Sequence, residues 1–221
     1  MENYMNDYLT IALPKGKLFT ISKNLLHRVG LSADHLSEKS RKLVIENGDL
    51  KVRFIIAKTS DVPTYVEYGA ADIGIIGKDV LLESQKDVYE ILDLGFGKCH
   101  LMMAVPQKEK RRRLLDYSYT RVATKYPHIA ESFFARQGMQ MEYIKLNGSI
   151  ELGPIVGLSE SIVDIVETGT TLAENDLEEI AHILDVSARL IVNRVSFKLK
   201  FHRINEIVNN LRLIIESGEI L

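Results

Sequence analysis

Residues 164–172, DIVETGTTL, carry the side chains in this chain best suited to chemistry. The stretch Ser161–Val166 is apolar and β-branched and reads as a buried strand. It runs through Thr168-Gly169-Thr170-Thr171 into Leu172-Ala173-Glu174, a first turn of helix. A strand, a short Gly/Thr turn and a helix start make a cradle for a phosphate. Free N–H groups and the positive end of the helix dipole point at the anion, and the hydroxyls add donors. Gly169 allows φ > 0 and a close approach of backbone to ligand. Two carboxylates, Asp164 and Glu167, stand just before the cradle. A phosphate site excludes acids unless something else is gripped, such as ribose hydroxyls or a Mg²⁺ ion, so cradle and carboxylates together point to a sugar phosphate. On this motif alone a plainer reading stays open, a polar strand-to-helix turn with an N-cap, because such junctions commonly use Ser, Thr and Gly.

Holding that turn in place takes a framework, and the chain alternates strands and helices throughout, as α/β proteins with largely parallel sheets do. Residues 9–13 read as a strand, Pro14-Lys15-Gly16 as a tight turn, and 17–29 as a helix with Leu18, Ile21, Leu25 and Val29 on one face. Residues 43–46 and Val52–Ala57 flank Asn47-Gly48-Asp49, a hairpin signal. Ser60-Asp61 caps a short helix over 60–68 with Pro63 in its first turn, 71–76 is a strand, and 77–82 opens another helix. Within 88–105, Gly95-Phe96-Gly97-Lys98 breaks two apolar segments and marks a crossing between two lobes. A second series follows: Arg121–Thr124 strand, 129–136 helix, 141–146 strand, 151–158 helix, then the phosphate motif. Residues 181–193 read as extended chain and 199–217 as one amphipathic helix with Phe201, Ile204, Val208, Leu211 and Ile215 on its stripe. That stripe is most simply core packing, with a partner surface as the lesser alternative.

Composition narrows the class. The chain has 221 residues, enough for one large domain or two small ones, and 28 basic against 30 acidic residues give a net charge of -2, which offers no nucleic-acid footprint. The basic run over 108–113 has no interleaved aromatics and reads as a solvated loop. A single cysteine, Cys99, forms no internal disulfide, which suits a reducing compartment. Residues 1–8 are polar and acidic, and no apolar run approaches the ~20 residues of a membrane span, so a cytoplasmic protein is expected. The six histidines (27, 35, 100, 128, 182 and 202) show no ligand spacing, which disfavours a zinc site.

Five segments in order resemble one family, the ATP phosphoribosyltransferases that open histidine biosynthesis. They are IALPKGKL at 11–18, RKLVIENGDL at 41–50, DVPTYVEYGAADIGIIGKDVL at 61–81, LDLGFGKCHLMMAVP at 92–106 and NGSIELGPIVGLSESIVDIVETGTTL at 147–172. The third is the most specific; the first alone is weak. The resemblance implies an α/β fold of two lobes with a central cleft, like that of periplasmic binding proteins. One lobe, 1–97 plus 182–221, would face ATP and pyrophosphate; the other, 98–181, would hold ribose 5-phosphate. The length resembles the family's short form, without the C-terminal regulatory domain. The implied partner is a regulatory subunit resembling a histidyl-tRNA synthetase, in a hetero-oligomer, with no nucleic acid or membrane involved.

The reaction so implied joins ATP to phosphoribosyl pyrophosphate: N1 of adenine attacks the anomeric carbon and pyrophosphate leaves. Under this resemblance Thr168, Gly169, Thr170, Thr171 and Leu172 hold the 5-phosphate, and Asp164 faces the ribose hydroxyls or Mg²⁺ carried by the substrate phosphates. Glu167 is assigned to the same substrate. Lys15, Arg41 and Lys58 supply cations to the pyrophosphate, beside Gly16; Lys58 brings charge without the bidentate fork of an arginine. Asp72, Gly77 and Lys78 line the nucleotide side. Taken without the resemblance, Lys15 is a solvated turn residue, Arg41 caps a hairpin, and Asp72 is a strand-end carboxylate bonded to nearby N–H groups. Two other functions stay in view: a solute-binding protein of the same fold, and a phosphoribosyltransferase acting on another base.

Overall fold

The computed structural model describes residues 8–31, 36–37, 42–110 and 113–218. The chain divides into two compact units, 1–97 with 187–221 and 98–186. Eleven strands and eight α-helices build them among the described residues.

Unit 1 contains β1 (Leu9–Pro14), α1 (Lys17–Arg28), β2 (Val44–Asn47), β3 (Val52–Ala57), α2 (Val62–Glu67), β4 (Ile73–Gly77), α3 (Lys78–Ser84) and β5 (Tyr89–Asp93). Unit 2 follows with β6 (Cys99–Pro106), β7 (Arg121–Thr124), α4 (Pro127–Arg136), β8 (Glu142–Lys145), α5 (Leu152–Ile155), β9 (Ser161–Val166), α6 (Thr170–Glu174) and β10 (Leu177–Val186). The chain then returns to unit 1 as β11 (Ala188–Val192), α7 (Arg194–Leu199) and α8 (Phe201–Glu216). The sequence places this return near residue 182; β10 stays paired to β6 through Val186↔Cys99, and the boundary falls at Ser187.

Sheet 1 has the order β2-β3-β1-β4-β11-β5. Every residue of β1 is buried, as a central strand covered on both faces requires. Leu9, Ile11 and Leu13 pack on one side with Phe54, Leu25 and the α8 residues Ile204, Val208 and Leu211. Ala12 and Ala57 face the other side, toward Val62 and Val66 of α2. Small residues there let α2 lie close: a Cβ on Gly74 would stand 2.8 Å from a Val66 methyl.

Sheet 2 has the order β10-β6-β9-β7-β8. One face, with Leu101, Met103, Val122 and Val163, is covered by Ile129, Ala130 and Phe134 of α4. The other gathers Ala104, Ala123, Ile162, Val166, Leu172 and Leu177, with Met102 partly buried.

Both sheets are mixed rather than largely parallel. β1 pairs in parallel with β3 and β4, and β7 with β8 and β9, while the remaining pairs are antiparallel. The departures have two causes. Asn47 ends a hairpin strand, which forces β2 against β3. At the crossings one strand in each sheet is reversed: β11 runs against β4 and β5, and β6 runs against β9 and β10.

Two helices also differ from expectation. The helix expected over 199–217 begins only at Phe201 and is preceded by α7; Lys200 between them has φ -114 and ψ 26. The helix expected over 151–158 shrinks to Leu152–Ile155, since Gly153, Pro154 and Gly157 interrupt it, the last at φ +72.

Candidate active site

Register places the polar groups of unit 2 on one sheet face. In β6 and β9, Met102 pairs with Asp164 and His100 with Val166; in β10 and β6, His182 pairs with Met102 and Asp185 with His100. Paired residues share a face, so Asp164, His182, His100 and Asp185 lie on the side of Met102 and Val166. On β7 the pair Thr124↔Val163 brings the next residue, Lys125, beside Asp164.

At the carboxyl end of β9 the chain turns through Glu167 and Thr168, both exposed, to Gly169 at φ +75. The left-handed conformation suits glycine, and the site where a Cβ would project is open, with Glu179 Oε1 the nearest atom at 3.8 Å. Thr168 and Thr170 hydroxyl oxygens lie 3.0 Å apart across the turn. Leu172 buries its side chain in the apolar cluster and anchors the loop. Among the described residues no protein acceptor takes the main-chain N–H of Gly169, Thr170, Thr171 or Leu172. α6 has only five residues, so its dipole is short; the cradle is made by these N–H groups and hydroxyls more than by the helix.

Burial raises the Asp164 carboxyl from 3.8 to about 6, and the nearby Glu151 carboxylate adds to the shift, while Lys125 and a backbone hydrogen bond from Ile165 oppose it. A carboxylate held in a partly dry, acid-rich setting is poised to take a cation or ribose hydroxyls.

In unit 1 the expected cations stand together at one end of the sheet. Lys15 follows β1, Lys58 follows β3 and Lys78 follows β4, and those strands are neighbours. The Lys15 N–H donates to Ala57 O at 2.9 Å, and Thr59 Oγ1 donates to Lys15 O at 3.2 Å, tying the two turns. Lys15 and Lys58 are exposed. Gly16 has φ +92 and open space where a Cβ would stand, and it precedes the twelve-residue helix α1, whose first turn carries no acid. Carboxyl ends of parallel strands, beside a helix start, are where open α/β sheets bind ligands. Lys78 is ion-paired with Glu90. Arg41 lies outside the described residues.

Two assignments change. Asp72 stands before β4, at the far end of the strand from Gly77 and Lys78, and is buried. Its Oδ2 accepts from the Thr10 N–H and from Lys200 Nζ, both at 2.7 Å. It clamps the base of unit 1, at the opposite end of β4 from Lys78. Gly77 lies at the expected end, but the space its missing Cβ leaves holds the Asp79 carboxylate, whose Oδ1 would be 2.1 Å away. Lys125, Glu151, Glu179 and His100 escaped the sequence reading. Only Lys125 had a local signal, as a lysine directly after a strand like Lys15 and Lys58; His100 and Glu179 reach the site through strand pairing, and Glu151 from the start of α5.

Solved structures with a similar two-unit α/β fold include the substrate binding protein of an amino acid ABC transporter, with TM-score 0.62 and 12% identity, over 96% of this chain and 95% of that one. Tv2483 bound to L-arginine is another, with TM-score 0.65 and 12% identity over 98% and 88%. At such identity the likeness is of fold alone, and it gives the chain the architecture of the periplasmic binding proteins.

The relationship in sequence is far more specific. The ATP phosphoribosyltransferase profile matches residues 58–213. The ATP phosphoribosyltransferase of Desulfitobacterium hafniense is 52% identical over 216 residues, covering 95% of this chain and 97% of its own, and that of Syntrophotalea carbinolica is 51% identical over 96% and 97%. The ATP phosphoribosyl transferase (HisG:HisZ) complex from Thermotoga maritima contains a chain with TM-score 0.79 and 33% identity, over 95% of this chain and 99% of that one. This chain belongs to the ATP phosphoribosyltransferase family. Among the described residues no helix is long and apolar enough to cross a membrane.

Proposed function

We propose that this chain is the catalytic subunit that condenses ATP with phosphoribosyl pyrophosphate, giving phosphoribosyl-ATP and pyrophosphate, the first step of histidine biosynthesis. The carrying observation is the turn at Gly169, where a left-handed glycine, two hydroxyls and main-chain N–H groups that meet no protein acceptor among the described residues follow the strand that bears Asp164.

Adenine N1 is unprotonated at neutral pH, so no general base has to create the nucleophile. The barrier lies in an electron-poor ribose and a highly charged leaving group, and positioning with electrostatics supplies the rate. In this reading the loop 168–172 fixes the 5-phosphate, Asp164 orients the ribose hydroxyls, and Glu167 stands at the entrance of the loop. Lys15 and Lys58, with Gly16 opening the backbone at the start of α1, receive the pyrophosphate. Arg41 keeps its place in the proposal from sequence.

Mg²⁺ suits this donor set. It favours one or two carboxylates plus substrate phosphates over a closed protein cage. Asp164, destabilised as an anion by burial and by Glu151, would hold it. When bound, Mg²⁺ neutralises charge on the phosphate oxygens.

The partner we assign is a regulatory subunit resembling a histidyl-tRNA synthetase, in a cytoplasmic hetero-oligomer; the Thermotoga maritima complex supports the pairing. The test is to incubate purified chain with ATP, phosphoribosyl pyrophosphate and Mg²⁺, with and without that subunit, and separate phosphoribosyl-ATP from ATP by chromatography. Absence of product in both preparations overturns the reading. Feedback requires a second site with different affinities in two states, and we place it on the partner. Histidine titrated against both preparations should inhibit only the complex; potent inhibition of the chain alone, not competitive with substrate, would refute that placement.

A further inference from the structure

Beside the cradle lies a chain of titratable groups that the reaction as described does not use. Glu179 on β10 places Oε1 3.8 Å from the point where a Cβ on Gly169 would stand. Its other oxygen, Oε2, is 3.9 Å from His100 Nε2 on β6. The His100 and His182 rings lie 6.0 Å apart between centroids. His182 Nε2, however, is 2.9 Å from Asp185 Oδ1, so that imidazole already has a carboxylate partner. The adjacent Glu178 pairs with Lys110. His100 is therefore the imidazole left to Glu179. The groups facing His100 from β10 are Glu179, His182 and Asp185; β9 puts Val166 opposite it, with Glu167 next in the chain and Asp164, whose carboxyl is raised to about 6, two residues back on the same face.

A carboxylate beside a phosphate cradle works against the ligand, because a phosphate monoester carries nearly two negative charges at neutral pH. Glu179 and His100 are each about one-third exposed, so their fields are screened but not abolished. Histidine is the side chain whose charge ordinarily changes between pH 5 and 8. A protonated imidazole at this distance cancels the Glu179 charge; a neutral one leaves it facing the cradle.

We propose that His100 and Glu179 are positioning residues that set the charge of the phosphate cradle, so that proton uptake by His100 tightens the binding of the sugar phosphate. The proposal rests on the cradle assignment above. It gives the pair a role in substrate affinity without contact to the reacting atoms. With His100 protonated the loop meets a neutral pair; with His100 neutral it meets a lone carboxylate.

Calorimetric titration of ribose 5-phosphate from pH 5.5 to 8 at fixed ionic strength tests it, in the wild type, H100Q, E179Q and the double variant. The ligand's own titration is common to all proteins and cancels in the ratio of their affinities. H100Q should bind about three- to tenfold more weakly than wild type at pH 5.5, the scale of one screened charge, and equally at pH 8. E179Q should bind more tightly than wild type at pH 8, and adding H100Q to it should change nothing. H100K, with a permanent charge, should bind at pH 8 as tightly as E179Q does. Parallel wild-type and H100Q profiles would overturn the pair and leave the cradle standing. A wild type that binds no ribose 5-phosphate at any pH would overturn both.

Discussion

Lys200 and Asp72 meet at 2.7 Å across 128 positions of sequence, with side chains 17% and 6% exposed. The same ammonium donates to Tyr8 O at 2.7 Å, and the same carboxylate oxygen accepts the Thr10 N–H. The break between α7 and α8 delivers the lysine to the foot of β1 and β4, away from Lys15 and Lys58.

Lys200→Met should therefore separate stability from catalysis. Removing one partner of a buried pair strands the other charge, and a loss of about 3 kcal/mol is expected. Urea unfolding should report it, while kcat of the folded variant stays unchanged. A large fall in kcat with wild-type stability would return Asp72 to the active site.

Gly169→Val should abolish binding of phosphoribosyl pyrophosphate in a protein that remains folded. The local space is open on the protein side, so the folding cost is the backbone strain of a β-branched residue at φ +75, about 1–2 kcal/mol. The methyl groups would occupy ligand space. Unchanged calorimetric affinity would disprove the cradle.

Lys15→Ala should lower kcat on the order of 10²-fold, the scale for one preorganised charge stabiliser, and at least as much as it raises KM. Its turn is held by main-chain contacts to Ala57 and Thr59, so the truncation leaves the backbone in place. Near-normal turnover would exclude Lys15 from the leaving-group site.

Asp164→Asn should exchange activity for stability in a pH-dependent way. The folded carboxyl titrates at about 6 against 3.8 in the reference state, so the folded protein holds the extra proton between those values. Stability therefore falls as pH rises through that window, and the cost is fully present above it. At 1.36 kcal/mol per unit the shift is worth about 3 kcal/mol at most. The asparagine variant should unfold at higher temperature than wild type above about pH 6 and match it below about pH 4. Identical profiles would mean that Asp164 is better solvated than its surroundings imply.

Much of this architecture is local enough to read from sequence. β9 has the expected bounds because Ser161–Val166 is a short β-branched run ending in a Gly/Thr turn. The hairpin of β2 and β3 follows from Asn47-Gly48-Asp49. Lys15, Lys58, Lys78 and Lys125 each directly follow a strand, a pattern visible without coordinates once the strands are placed. Strand direction was not local: nothing within residues 188–192 says that they run against both neighbours. Nor was the service of Asp72 to Lys200, or the meeting of Glu179 with His100, since both depend on which strands and helices pair. Tertiary demand also overrode the long amphipathic stripe at Lys200, where a buried carboxylate needed an ammonium.

The place of β11 has a consequence for how the protein is made. It separates β4 from β5, and β5 has no other neighbour in its sheet. Until residues 188–192 leave the ribosome, the apolar strand Ile73–Gly77 has one bare edge and Tyr89–Asp93 has no ladder at all. Residues 98–186, by contrast, are one uninterrupted stretch carrying all five strands of their own sheet. The later-synthesised unit is thus the first that can close, and the earlier one waits for its keystone with an unpaired edge open to other chains.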